Sequence, residues 1–301
     1  MRWLLTGATG LLGGYLLRHL RDRGEPVVAW SGSRQTEVLG TPLARVDITD
    51  ADAVAAAFRA AAPDVILHAA AVARVDECRR EPEKARRVNT EGSRHLAELA
   101  AERGARVVFV STDLVFDGEG GHYREDDPPN PLTVYGRTKA DAEPGVLAFP
   151  RTAVARLSLL FGPCLTGRSS FFDRMVVALR ENRPIPLFAD EWRTPLSLST
   201  AAEALVALAR SDVTGLLHIG GPERLSRLEM GRQLAEVLGV SGESIVVTGR
   251  NDAPAEEPRP ADTSLDSSRW RSLFPDLPWP PYREVLASAG ASARRGWSTT
   301  H

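Results

Sequence analysis

Glycines at positions 7, 10 and 13 punctuate the run Thr6-Gly7-Ala8-Thr9-Gly10-Leu11-Leu12-Gly13, which joins a short apolar stretch to an amphipathic one. The first glycine permits a tight turn. The second lets the backbone approach a bulky anion, and the third lets a helix pack closely on the strand before it. A helix starting here offers free N–H groups and the positive end of its dipole to a pyrophosphate. The run therefore predicts a strand–turn–helix unit that cradles a dinucleotide, with Gly7, Thr9, Gly10, Leu11, Leu12 and Gly13 as its contacts. The alternative is a glycine-rich turn that holds no ligand.

The periodicity of the first half favours the ligand. Expected strands over residues 2–6, 26–30, 43–46, 64–68 and 106–110 alternate with helices over 11–23, 51–62 and 82–103, with Asp50 as an N-cap and Gly104 as a stop. Such alternation predicts an α/β fold, a Rossmann-type doubly wound parallel sheet covered on both faces. Beyond about residue 158 prolines and glycines become denser. Helices are expected over 170–181, 200–210 and 226–238, and an isolated strand over 216–219. The expected division is a dinucleotide-binding domain over 1–157 plus about 190–210, a smaller C-terminal α/β substrate-binding domain over 158–189 and 211–285, and a loose tail over 286–301. The Pro-rich, acidic stretch 251–263 reads as a loop or linker.

Composition narrows the classes further. The 301 residues are 43% hydrophobic and 25% charged, enough to bury a core without a metal or a disulfide framework. Lysine and arginine number 37 against 39 acidic residues, so the net charge of −2 excludes the strongly basic footprint of a nucleic-acid binder. Cys78 and Cys164 are too few for a disulfide scaffold, which makes a reducing cytoplasm the expected compartment. The histidines at 19, 68, 95, 122, 218 and 301 have no ligand spacing, so no metal is expected. An uncharged stretch over 3–17 follows Arg2, as in a signal peptide. It is glycine-rich and too short to span a bilayer, and no membrane association is expected.

The second strand ends in Trp30-Ser31-Gly32-Ser33-Arg34, without the acid that would bond the ribose hydroxyls of NAD. Ser33 and Arg34 suit a 2′-phosphate, so NADP, with NADPH preferred over NADH, is the expected cofactor; otherwise Arg34 is a solvated loop charge. Asp47-Ile48 would flank the adenine unless Asp47 is an N-cap. Ala69-Ala70-Ala71, small residues at a strand end, would admit the nicotinamide ribose or simply pack well. Tyr135 and Lys139, four apart, share one face of a helix. A neighbouring ammonium lowers a phenol from its free pKa of about 10; reaching about 7 takes roughly 4 kcal/mol, which the ammonium together with the positive nicotinamide of the oxidised cofactor would supply. Tyr135 would then exchange a proton with a carbonyl or alcohol oxygen, Lys139 would hold the nicotinamide ribose, and the hydroxyl of Thr112, at the carboxyl end of the fifth strand, would polarise the same oxygen. The mixed stretch 74–87 reads as a solvated helix face.

Over nearly the whole chain, to about residue 275, the sequence resembles the extended short-chain dehydrogenases/reductases, and among them the dTDP-4-dehydrorhamnose reductase branch. The resemblance is carried by Ser111-Thr112-Asp113-Leu114-Val115-Phe116-Asp117-Gly118, by Tyr123, Glu125 and Asp126, and by Pro131-Leu132-Thr133-Val134-Tyr135-Gly136-Arg137-Thr138-Lys139. Ala69-Ala70-Ala71, Asp76, Val88-Asn89, Arg259-Pro260 and Ser264-Leu265-Asp266 also fit. It implies hydride transfer from NAD(P)H to a 4-keto sugar on a nucleotide diphosphate, with Thr112, Asp113, Leu114 and Leu159 around the sugar and Arg259 toward the phosphates. A local salt bridge is the other reading of Arg259. The branch usually carries tyrosine at Leu114 and tryptophan near Leu159. Both departures point to a different 4-keto sugar or another carbonyl substrate. The regulatory β subunit of methionine adenosyltransferase, which binds NADP without this activity, also resembles the chain. A homodimer is a further expectation.

Overall fold

The computed structural model describes residues 1–32, 35–167, 169–252 and 256–293. Ser33 and Arg34 thus lie outside the described residues. The first half contributes strands β1 (Trp3–Thr6), β2 (Val27–Ser31), β3 (Glu37–Val38), β4 (Thr41–Arg45), β5 (Val65–His68), β6 (Arg106–Thr112) and β7 (Thr152–Leu157). The second adds β8 (Leu160–Phe161), β9 (Ile185–Phe188), β10 (Trp192–Arg193), β11 (Leu196–Ser197), β12 (Gly215–Ile219), β13 (Leu225–Ser226) and β14 (Ile245–Thr248). Eight of these form one sheet in the order β12-β7-β6-β5-β1-β2-β4-β3, parallel except for β3. The chain runs from β1 through β2 to β4 on one side, then returns to β5 and runs outward on the other. The strand order reverses between β1 and β5, the switch point where sheets of this kind bind ligands at the carboxyl ends of their strands.

The sheet is buried on both faces because successive side chains alternate. Trp3, Leu5, Val65, Leu67 and Val108 pack on one face with α1 (Leu11–Asp22) and, from the distant second half, α8 (Leu198–Arg210). Leu4, Ile66 and Val107 pack on the other with α2 (Ala51–Ala61). The expected helix over 82–103 is divided. It consists of α4 (Pro82–Arg86), a π-helical turn over Arg87–Glu91 and α5 (Gly92–Arg103), following a short α3 (Val75–Arg80). The wide turn carries buried Asn89, whose amide accepts from Val72 N (2.8 Å) and donates to Val72 O (3.0 Å) and Thr138 Oγ1 (2.9 Å). Asp50 caps α2 through Ala53 N (3.0 Å), and Gly104 ends α5 in the left-handed region at φ +72. Helix α6 (Val134–Leu147) lies beside α5 on the same face.

A second core gathers α7 (Phe171–Arg180), β9, α9 (Arg227–Leu238) and α11 (Tyr282–Ala293) around Phe172, Met175, Leu187, Leu234 and Tyr282. Three expectations for this half change. The strand over 216–219 is not isolated: β12 pairs with β7 at the edge of the main sheet, a parallel partner too remote in sequence to be visible locally. Residues 260–265 are stitched in, with Trp192 N donating to Ala261 O (2.7 Å), Asp262 N to Gly118 O (2.9 Å), and Thr263 and Ser264 buried. The stretch from 286 continues α11 to Ala293, with Leu286 buried in the second core. Helix α10 (Ser268–Leu273) returns Trp270 to the first core. Among the described residues no helix is long and apolar enough to cross a membrane.

Candidate active site

The glycine turn sits at the reversal of strand order, and Gly7 and Gly13 are obligatory there. Gly7 has φ +73, and a Cβ on it would lie 2.7 Å from the backbone of Ala69 and Ala70. A Cβ on Gly13 would lie 2.1 Å from Gly7 O, and one on Gly10 would lie 3.1 Å from it. Helix α1 starts after Gly10 with no side-chain cap and no acid in its first turn. A helix N-terminus left in that state suits a phosphate group. Thr9 is buried and hydrogen-bonded to Ser31 Oγ (3.2 Å), while Ala70 N donates to Thr6 Oγ1 (3.2 Å). The backbone at Ala69-Ala70 therefore closes against the turn. The cradle fits a dinucleotide pyrophosphate.

Asp47 and Asp50 divide the work that the sequence left open. Asp50 caps α2, while Asp47 Oδ1 accepts from Thr49 N (2.9 Å) and Thr49 Oγ1 (2.8 Å). Those two bonds, the backbone one first, hold the Asp47 carboxyl below its usual range. Ile48 turns its carbonyl toward Gly92, where a Cβ would come within 2.8 Å.

Thr112 ends β6 and leads into a one-turn 3₁₀ segment, Asp113–Val115. Helix α6 begins on Thr133, whose side chain accepts from Gly136 N (3.1 Å). Gly136 brings the two segments together: a Cβ there would sit 2.0 Å from Leu114 O. This close seat sets the first turn of α6, which carries Tyr135, against the segment that Thr112 begins. One helical turn on, Lys139 is buried with Nζ 3.8 Å from the centre of the Phe109 ring. Burial lowers it to about 7, against the opposing pull of Glu143. Lys139 is not among the groups that shift Tyr135 in the protein by itself. Burial pushes the phenol above 10.0, and Cys78 and Asp113 add to that rise. Behind Lys139, Glu143 accepts from Ser111 Oγ (2.6 Å) and pairs with Arg156 (2.6 Å).

Asp113 is buried with both oxygens engaged. Oδ1 accepts from Thr112 Oγ1 (3.2 Å), and Oδ2 accepts from Ser158 Oγ (3.1 Å) and Thr263 Oγ1 (3.0 Å), with Arg193 Nε 3.7 Å away. Burial raises its pKa, and Arg193 opposes the rise. Beyond it a cleft of about 1060 Å³ opens between the two cores. Asp113, Leu114 and Thr133 line it, and Leu159, Phe171 and Phe188 supply apolar wall.

Arg259 lines the same cleft, its guanidinium 4.8 Å from the Phe188 ring and its Nη1 donating to Arg250 O (3.1 Å). Sequence reasoning missed other members. Arg193 and Arg227 converge on Glu191 Oε1 at 3.3 and 2.7 Å, and Arg227 Nη1 is buried without a partner among the described residues. Arg79, paired with Glu256, and Arg80 also line the cleft, so the stretch 74–87 is not solely a solvated face. No local pattern marks these arginines. They meet only through the fold.

Comparison with known proteins agrees with this geometry. The chain is 34% identical over 279 residues to the dTDP-4-dehydrorhamnose reductase of Streptomyces griseus, covering 90% of this chain and 87% of that one. It is 31% identical over 285 residues to methionine adenosyltransferase 2 subunit beta of Xenopus tropicalis, covering 90% and 82%. The solved structure of a hypothetical dTDP-4-dehydrorhamnose reductase from Sulfolobus tokodaii superimposes with a TM-score of 0.82 at 33% identity, over 94% of this chain and 98% of that one. The model of the RmlD substrate binding domain family matches residues 1–294, and the chain belongs to that family.

Proposed function

We propose that the protein is an NADPH-dependent reductase of a 4-keto sugar carried on a nucleotide diphosphate, similar to dTDP-4-dehydrorhamnose reductase. The observation that supports this reading is that Asp113 and Leu114, next to Thr112, and Thr133, at the start of the helix that carries Tyr135 and Lys139, line the cleft. NADPH, when bound, supplies the hydride. Gly7, Gly10 and Gly13, with the N–H groups of Leu11 and Leu12, hold its pyrophosphate. Asp47 and Ile48 flank the adenine, Ser33 and Arg34 take the 2′-phosphate, and Ala69-Ala70-Ala71 leave room for the nicotinamide ribose that Lys139 holds. Tyr135 delivers a proton to the keto oxygen, and its raised pKa keeps that proton in place at neutral pH. Arg259 and the unpartnered Nη1 of Arg227 bind the substrate's phosphates. Leu114 and Leu159 make the inner wall apolar, which favours a sugar other than the rhamnose precursor.

The test is NADPH consumption with a panel of 4-keto nucleotide sugars. Tyr135→Phe should lose turnover by about a hundredfold or more and keep its affinity for NADPH. Full activity in Tyr135→Phe removes the assigned acid. Tight NADPH binding without turnover of any substrate supports a binding subunit like the methionine adenosyltransferase relative instead.

A further inference from the structure

Four buried hydrogen bonds run in one direction away from the proposed cofactor cradle. The β1–β5 ladder ends on the pair Thr6 and His68. Beyond it the Thr6 side chain takes over. Its Oγ1 accepts from Ala70 N (3.2 Å) and lies 2.6 Å from His68 Nδ1. On the other side of the ring, Nε2 lies 2.9 Å from Ser93 Oγ, and Ser93 Oγ lies 2.7 Å from Asn89 O. Thr6, His68, Ser93 and Asn89 are all buried.

The protons on this line have one arrangement. Asn89 O can only accept, so it takes the single proton of Ser93. Ser93 Oγ then offers His68 only lone pairs, and the ring must donate from Nε2. Phe109 stacks on that ring with centroids 5.5 Å apart, and Phe109 also carries the Lys139 ammonium at 3.8 Å. Burial, and then Lys139, keeps the imidazole neutral. A neutral ring that donates from Nε2 accepts at Nδ1. The Thr6 proton therefore goes to His68, which leaves a lone pair of Thr6 for Ala70 N–H. The amide so held belongs to the backbone that lies against Gly7, where a Cβ would come within 2.7 Å.

We infer that His68 is a positioning residue for the cofactor: as the Nε2–H tautomer it draws the Thr6 proton, and Thr6 then holds the Ala69–Ala70 backbone against the glycine turn. The buried ring acts through Thr6 and not on the cofactor itself.

The inference rests on NADPH occupying that turn, and it predicts a loss of cofactor affinity more than of chemistry. His68→Phe should raise the Kd for NADPH about tenfold by fluorescence titration, and kcat should fall by less than Kd rises. Thr6→Val should do the same, and His68→Phe added to Thr6→Val should cost less than about twofold more. His68→Asn, whose amide oxygen can stand where Nδ1 stood, should recover most of the affinity. A Kd unmoved by either single change, or losses that multiply in the double variant, overturns the inference and leaves His68 a packing residue of the sheet. Should the variants not fold, the ligand-free wild type still gives a reading. Long-range ¹H–¹⁵N spectra of protein labelled in histidine, with the His68 ring assigned through its contacts with Phe109, should show the Nε2–H tautomer at neutral pH. An Nδ1–H tautomer or a doubly protonated ring overturns the inference. If NADPH binds and no keto sugar is reduced, the reductase reading fails while the Kd and tautomer readings still decide the role of His68. A wild type that binds no NADPH removes both.

Discussion

Lys139, proposed to hold the nicotinamide ribose, is kept in place at the expense of stability. Its ammonium lies over the Phe109 ring in a buried site, which lowers its pKa from 10.5 to about 7. The unfolded chain keeps that proton up to the ordinary value, so between the two values it binds more protons than the folded protein, and stability climbs with pH. Below about 7 the full penalty is present. Lys139→Met should therefore raise the Tm of the ligand-free protein, most strongly at about pH 6 and least toward pH 10, while losing turnover. A variant melting below the wild type at about pH 6 contradicts this account. Buried His68, lowered to about 3 by burial and then by Lys139, has a consequence on the acid side. Its unfolded form charges below 6.5 and the folded form does not, so stability falls as pH falls, by about 2 kcal/mol at pH 5. The urea midpoint should drop accordingly, and a midpoint unchanged between pH 7 and pH 5 rules it out. That Tyr135 and Lys139 share one helix was legible, because a four-residue spacing fixes a helix face. The rise in the Tyr135 pKa was not, since it comes from burial by Cys78, Val134 and their neighbours.

Among the elements, the contact between α6 and the 3₁₀ turn after β6 decides the site. Gly136 sits where any side chain would meet Leu114 O, and backbone on both sides leaves nothing flexible to yield. Gly136→Ala should part Thr112 from Tyr135 and cut kcat by about a hundredfold, beyond what its loss of stability explains. A folded Gly136→Ala enzyme with wild-type kcat shows that the close seat is not needed. The strands and helices of the first half were readable from alternating periodicity. The π-helical turn was not: it follows from Asn89 reaching Val72 and Thr138, and from Gly92 closing on Ile48, partners that a local pattern cannot display.

Across the whole molecule, the proposed cofactor touches the ends of β1, β2, β4 and β5, so its binding energy should stabilise the sheet as a unit. NADPH at a hundred times its Kd adds about 2.7 kcal/mol and raises Tm by several degrees. Arg34→Ala should reduce the NADPH shift to that given by NADH. A ratio of shifts unaltered by Arg34→Ala removes the assigned 2′-phosphate contact. Local patterning in the chain was enough for the alternation of strands and helices, the glycine turn and the spacing of Tyr135 and Lys139, because each depends on residues within a few turns or one strand of each other. Other features exist only once the chain has folded. The pairing of β12 with β7, the meeting of Arg193, Glu191 and Arg227 on the cleft wall, and the clamp that Ser158, Thr263 and Arg193 place on Asp113 all join segments far apart in the chain. Parallel pairing and buried charge networks are satisfied only after the chain has closed on itself, so no short stretch of residues announces them.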